Sequence, residues 1–532
     1  MSPDVARSGG MASDGMTGLV LRVLALTEVR LRMRRTSTVV ALLAVVALSW
    51  ATIADPAGGH AIMVFNDARV LYTSSALALA SAALAAPLFG LGGFYLVRGR
   101  MSEDVRSGCG AVIGATPVSG ALFLAGRWLG GLAYLGALAV AFMLTVLALH
   151  ALRGEGALML GVYVQTYALL LLPMLVFAVS CAVLFDSVAA LMGKGGDILY
   201  FLVWIAQFVL MAVISKDGVD PSVLVFDFTG LGAAVLALKA HLHTGDFSIG
   251  SSPFDPALAP LVLPPLLWSG HLMLVRASSA LLALLPLLPA VLLFHRFSPD
   301  KVSVSRARRR RSPLAFVNGV LRPVSVLGQP LFALAARLPG MGGQLLGDVA
   351  LTLVMAPLAM LAVVASMAAA LLVPAATLTA VLIAALAFWG ILISDLSTRD
   401  FAAGAEDLTG ALRGGVAGRY LRQFGATLLL GLLFCGVVAL RWAVSAPLQA
   451  LALLAGVAAL SALASLFGRC SRTARLFIAL FLFGLYVALN ARQVAWLDAV
   501  GFNGVANAAS ASMYAAIALA ALVGGYVFNR RA

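Results

Sequence analysis

The sequence has few charged residues, and its acidic residues avoid the apolar segments. Only 11% of its 532 residues are charged, whereas 62% are hydrophobic and the mean hydropathy is +1.02. This composition excludes a soluble globular protein. All 22 acidic residues lie in loops or at the ends of apolar segments. Transporters driven by ion gradients usually carry a carboxylate within the bilayer, so its absence predicts another source of energy.

The sequence also lacks the patterns of a disulfide framework, a phosphate-binding loop and a metal site. The four cysteines are scattered over apparent spans and basic loops, which predicts no disulfide framework. The phosphate-binding sequence Gly-x4-Gly-Lys-Ser/Thr is missing, because the one Gly-Lys pair, Gly193-Lys194, has Val188 in place of the first glycine. His241 and His243 alternate, and alternate residues on a helix point apart, so no metal site is predicted. We therefore expect no cofactor on this chain.

Long apolar runs predict a polytopic helical membrane protein. Each run is long enough to cross about 30 Å of hydrocarbon. The twelve predicted spans lie at about 37–54, 72–97, 122–149, 158–184, 198–215, 271–295, 349–373, 375–394, 424–443, 446–467, 475–490 and 511–528.

The basic residues set the orientation of these spans. With the N-terminus inside, 28 lysines and arginines fall in the inner segments and 7 in the outer ones or their span ends. This asymmetry predicts cytoplasmic termini, because cytoplasmic loops are enriched in lysine and arginine. The net charge of +14 follows from topology and indicates no nucleic-acid ligand.

The chain looks duplicated. A disordered N-terminus (1–16) is expected to precede a first six-span half at 17–297, which carries an outside segment at 216–270. A basic cytoplasmic linker at 298–323 then leads to a second half at 324–532. Each half begins with a helix suited to the membrane interface, at about 17–36 and 324–338.

Each half also has a charged inner loop between its second and third spans. The first loop contains an Ala-Thr-Pro-Val-Ser turn and a Gly-Arg entry to the third span at Gly126-Arg127. Pro117 and Thr116 can end one short helix and Ser119 can cap the next. The candidate contact residues of the two loops are Arg100, Glu103, Asp104, Arg106, Thr116 and Pro117, then Arg399, Asp400, Glu406 and Asp407.

At these residues the chain resembles the permease subunits of ABC-2-type exporters. The resemblance implies an all-α membrane protein with two six-helix halves in the type V exporter-like arrangement. It also implies that the loops couple the permease to a soluble ABC ATPase subunit, which would hold ATP and Mg. A bacterial inner-membrane location is expected, with membrane lipids around either a lone pseudo-dimer or a homodimer.

The polar residues in the spans suggest a substrate path, and two alternative functions remain open. Gln165 and Gln207 are candidates for the substrate path, and walls without carboxylates or lysines favour an amphipathic or hydrophobic cargo. A secondary transporter independent of ATP is one alternative. The other is a membrane enzyme acting on lipid-linked substrates, for which the candidate acids are Asp55, Asp67, Asp217, Asp220 and Asp227.

Overall fold

The computed structural model describes residues 3–214, 221–242, 247–294, 313–411, 414–490 and 494–531. Within it the chain forms two compact units, Met1–Arg308 and Arg309–Ala532. The division falls inside the basic segment that the sequence predicts as a linker. Each unit is described here by itself.

The first unit is built from eleven helices in its described residues. They are α1 (Pro3–Met33), α2 (Thr36–Thr52), α3 (Ser74–Val97), α4 (Arg100–Arg106), α5 (Cys109–Ala115), α6 (Gly120–Arg153), α7 (Leu160–Ser187), α8 (Lys194–Ile214), α9 (Leu231–Leu242), α10 (Gly270–Leu282) and α11 (Leu287–Leu293). Helix α1 starts at Pro3, where the sequence predicts disorder up to residue 16. Proline suits the first position of a helix, because its missing N–H would have no partner there.

The described residues of the second unit form helices joined by turns and loops, with no strand among them. Its helices are α12 (Pro313–Val320), α13 (Gln329–Arg337), α14 (Gly340–Met355), α15 (Pro357–Leu372), α16 (Leu378–Ile393), α17 (Arg399–Ala402), α18 (Glu406–Gly410), α19 (Gly415–Ser445), α20 (Pro447–Ser471), α21 (Arg475–Asn490) and α22 (Ala508–Arg531). In both units we call the end with the charged loop, α4–α5 or α17–α18, the loop end.

The described helices confirm a polytopic membrane protein. Eight helices are long and apolar enough to cross a membrane, or ten if each of two bent helix pairs makes one span. The prediction of twelve spans also included 198–215, which runs into undescribed residues, and 475–490. The helix over the latter, α21, has 16 residues. It is about 24 Å long at 1.5 Å per residue, which is short of the hydrocarbon thickness.

One bend and two arginine contacts recur in the two units. Each unit has a helix pair with a sharp bend, 76° between α1 and α2 and 104° between α14 and α15. The long helix that follows each charged loop, α6 or α19, carries an arginine at its eighth residue. This residue, Arg127 or Arg422, contacts an acid on the first helix of the bent pair. Near the other end of the same long helix, a second arginine donates to a backbone carbonyl just after the second helix of the bent pair. Arg153 donates to Ile53 O, and Arg441 donates to Val373 O. The repetition fits the sequence evidence for duplication.

A small antiparallel sheet departs from the predicted all-α fold. Strand β1 (His60–Phe65) lies between β2 (Ala68–Arg69) and β3 (Phe247–Pro253), at the end of the first unit opposite the loop end. Asn66 and Asp67 have φ of 43° and 63°, so they form the left-handed turn that joins β1 to β2. The strand residues of β1 after His60 are all buried. These residues are as apolar as those of a membrane span, but here they are buried as part of a sheet.

The proline-rich stretch 253–268, within the predicted outside segment, is mostly extended chain and contains no helix. Leu71 N donates to Leu261 O at 2.8 Å, and Ser75 Oγ donates to Leu263 O at 3.2 Å. These bonds hold the stretch against the start of α3. Its irregular backbone is therefore satisfied by protein, as a segment near lipid requires.

Candidate functional site

Glycine and proline shape the loop end of the first unit. Gly99 and Gly108 precede α4 and α5 with φ of 100° and 74°, a left-handed conformation that suits glycine. Thr116 ends α5, and Ser119 caps α6 by accepting a hydrogen bond from Leu122 N at 3.2 Å. The predicted cap is confirmed. The loop is thus two short helices between α3 and α6.

A buried network of charges holds α4 to α1 and α6. Glu28 of α1 lies 3.4 Å from Arg100 Nε and 3.6 Å from Arg127 Nε. Arg127 of α6 also donates to Asp104 of α4. Glu28, Asp104 and Arg127 are each at most 6% exposed. Charges removed from water to this extent depend on their partners, so the three helices are fixed to one another.

Arg98 forms a second buried centre beside this network. Its guanidinium donates to Asp197 at the start of α8 and lies 3.8 Å from Asp186 at the end of α7. The Asp186 carboxylate also accepts from Gly99 N at 2.7 Å. The loop therefore begins at a point anchored to two further helices.

The first loop's acids do not form the exposed charges that the sequence predicts. Asp104 is 4% exposed, and Glu103 is half-buried between Arg35 and Arg100. Glu28, which shares the partners Arg100 and Arg127 with Asp104, lies on α1 far along the chain, so sequence proximity could not reveal the network. Arg106 lies on α4, and its side chain is outside the described residues.

The second unit repeats this design with different acids. Asp348 Oδ2 of α14 lies 2.8 Å from Arg422 Nε of α19, and the two side chains form an ion pair. Glu406 of α18 pairs with Arg469 and lies 3.4 Å from Arg419 Nη2. Although burial acts to raise the pKa of Glu406, its arginine partners lower the pKa below the usual range. Its carboxylate thus stays ionised and paired at neutral pH.

The remaining predicted residues of the second loop have separate roles. Asp400 accepts from Thr409 Oγ1 at 3.1 Å and from Gln423 Nε2 at 3.4 Å. Arg399 donates to Thr352 Oγ1 at 3.1 Å. Asp407 is exposed. Hence three of the four predicted residues, Glu406 included, bind the loop to its own unit.

Each loop exposes a large apolar side chain. Val112, on α5, is 69% exposed, and Leu408, on α18, is 77% exposed. Pro117 is also exposed, while Thr116 turns back to donate to Ile113 O at 2.7 Å. Each unit therefore presents an exposed apolar residue on a loop whose described charges, apart from Asp407, are engaged within the unit.

Gln165 and Gln207, the predicted path residues, take part in local contacts. Gln165 Nε2 lies 3.8 Å from Met273 Sδ, and Gln207 Oε1 accepts from Phe228 N at 3.2 Å. These contacts join α7 to α10 and α8 to the following loop. They are helix-packing contacts of the kind that polar residues make in membrane proteins.

The outer acids considered for catalysis serve mainly as caps. Asp55 accepts from Ala57 N, and Asp227 accepts from Gly230 N and Gly232 N. Asp67 occupies the hairpin turn, while Asp217 and Asp220 lie outside the described residues. Among the residues that the structure describes, no group of three or more His, Cys, Asp or Glu could hold a metal ion.

Asp498, between α21 and α22, is a buried carboxyl with an unsatisfied oxygen. It is 1% exposed; Oδ2 accepts from Asn503 N at 3.0 Å, and Oδ1 has no hydrogen-bond partner among the residues that the structure describes. Burial raises its pKa above the ordinary value of 3.8. A raised folded-state pKa means that stability is lost as the pH rises from the ordinary value through the raised one.

Replacing Asp498 with asparagine should therefore stabilise the protein at pH 7. We expect a gain on the order of 1 kcal/mol, because an ionised buried oxygen without a partner is removed. The gain should shrink as the pH falls towards 4, and thermal unfolding in detergent at several pH values measures it. The exposed Asp55→Asn is the control. An Asp498→Asn protein less stable than the wild type at pH 7 would contradict this account.

Comparison of the chain with protein-family models, with curated proteins and with solved structures finds no match.

Proposed function

We propose that this protein is the membrane-spanning permease subunit of an ATP-driven exporter of the ABC-2 type. The supporting observation is the construction of its loop ends. In the first unit, α5 carries an exposed apolar tip, and the neighbouring α4 is tied by buried charges to α1 and α6. A force applied to the tip would be transmitted to those two helices instead of being lost in a flexible loop.

The tips suit a soluble protein as the source of that force. Val112 and Leu408 are apolar residues at the loop ends, where an apolar side chain gains free energy by burial in a partner. Such small contacts give affinity, and exposed charges around them give orientation. The partner in this proposal is the ATPase subunit, which carries the nucleotide and Mg that this chain has no phosphate loop to bind.

The transported substrate belongs to the amphipathic or hydrophobic class in this proposal. The described membrane-spanning helices hold few charged side chains, and those at the loop ends are paired. A small ion would lose its hydration in such surroundings without compensation. We propose a bacterial inner-membrane location with both loop ends in the cytoplasm.

Purification in mild detergent tests the proposal. We expect the chain to copurify with a soluble ATPase in fixed stoichiometry, and the chain stripped of that protein to show no ATP hydrolysis. ATP hydrolysis by the stripped chain would overturn the division of labour. Transport driven by a proton or sodium gradient in vesicles without ATP would favour a secondary transporter instead.

A further inference from the structure

An apolar groove lies on the second unit, away from its loop end. It has a volume of about 580 Å³ and is formed by residues of α15, α19 and α20. Gly436 forms part of the wall, and Leu440 and Leu451 stand beside it, 72% and 58% exposed. The volume is in the range of small-molecule sites.

The groove needs an apolar occupant in a membrane. Its walls are almost wholly aliphatic, and an unfilled apolar void forfeits dispersion contacts on every side. A transmembrane helix is too thick to fit inside, because three turns about 11 Å wide occupy on the order of 1,500 Å³. A lipid acyl chain is thin and flexible enough to fill it.

Arg441 lies about one helical turn beyond Val437, at the groove end away from the loops. Its Nη1 donates to Ala370 O and Val373 O, both at 2.7 Å, at the carboxyl end of α15. These two bonds fix the guanidinium in place. The side chain is half-buried, so Nε and Nη2, which make no hydrogen bond to the described residues, remain accessible to a ligand.

We infer that the groove and Arg441 form a binding site for one phospholipid with an anionic headgroup. The acyl chain occupies the groove, and the phosphate accepts hydrogen bonds from the free edge of the Arg441 guanidinium. Arginine suits this role because its planar fork matches phosphate oxygens. The carboxyl end of α15 marks the edge of the apolar layer, which is where a headgroup lies. This inference does not depend on the proposed transport function.

Native mass spectrometry of the full-length protein with added phosphatidylglycerol or phosphatidylcholine tests the site. We expect one phosphatidylglycerol to be retained preferentially. Arg441→Gln should lower its retention about tenfold, the effect of one charge-assisted hydrogen bond. Gly436→Phe should abolish retention of both lipids by filling the groove. A Cβ at Gly436 meets no atom within 4 Å, so the substitution should be accepted without strain.

Two matched variants serve as controls. Arg153→Gln removes the corresponding arginine of the first unit, and Gly136→Phe adds a side chain where the Cβ also has open space. Both should retain phosphatidylglycerol like the wild type, and a thermal unfolding scan checks that every variant is folded. Equal retention by folded Arg441→Gln, Gly436→Phe and wild-type proteins would overturn the inference. So would a Gly436→Phe protein that loses a dimer but no lipid, because a second copy would then cover the groove.

Discussion

Replacing Arg127 with methionine should destabilise the first unit by about 3–5 kcal/mol, the cost of removing one partner from a buried ion pair. Arg127 is 6% exposed and contacts both Glu28 and Asp104. Methionine preserves most of the length but leaves both carboxylates with one cation fewer. We expect a lower midpoint of thermal unfolding in detergent and a lower yield of folded protein.

The control for this experiment is Arg22→Met, at an exposed position of α1. It should leave the unfolding midpoint within experimental error, because exposed charges contribute little to stability. Arg127→Lys should recover part of the loss, since it restores the charge but not the two-sided geometry of the guanidinium. Equal midpoints for Arg127→Met and Arg22→Met would show that the network does not hold the loop.

Replacing Val112 with aspartate should reduce stimulation of the partner ATPase more than tenfold while leaving the fold intact. The side chain is 69% exposed, so the charge has no cost within the free protein. In the proposed complex the same position is buried against the ATPase, where an unpaired carboxylate is costly enough to account for such a loss. The measurement is the ATPase rate of the reconstituted complex, together with the unfolding midpoint of the permease alone.

Val494→Asp provides the matched comparison, because Val494 is 41% exposed in a loop away from the loop end. It should affect neither ATPase stimulation nor stability. Val112→Ala should have a smaller effect than Val112→Asp, since it removes contact area without adding a charge. If Val112→Asp stimulates the ATPase as well as Val494→Asp does, the α5 tip is not the contact.

The class of fold could be predicted from hydropathy because membrane-spanning helices are visible in the sequence as long apolar runs. The small sheet could not. His60–Phe65 is as apolar as a span, and its strand partner Phe247–Pro253 lies far along the chain. The sequence also does not predict the bend angles. It predicts α1 as an interfacial helix before the span at 37–54, and it places the end of α14 and all of α15 in one span at 349–373, where the structure has a bend of 104°.

The sequence predicts where the charged loops lie, but it does not predict which residues pair with their acids. The pattern identified the charged loops and the short helices that Thr116 and Ser119 delimit. It predicts Asp104 and Glu406 as residues that contact a partner, and the fold pairs both with arginines of their own unit. Such pairs join helices distant in sequence. The signal in the sequence for this pairing is the arginine at the eighth residue of both α6 and α19, Arg127 and Arg422.

The central claim is that the apolar tip of α5 contacts a separate ATPase, and site-specific photocrosslinking measures this directly. A photoreactive amino acid at position 112 of the full-length protein, expressed in cells that contain the partner, should crosslink to a soluble protein with a Gly-x4-Gly-Lys-Ser/Thr loop. The same probe at position 494 should not. Crosslinking of that ATPase from position 494 alone, or of lipid alone from position 112, would contradict the account.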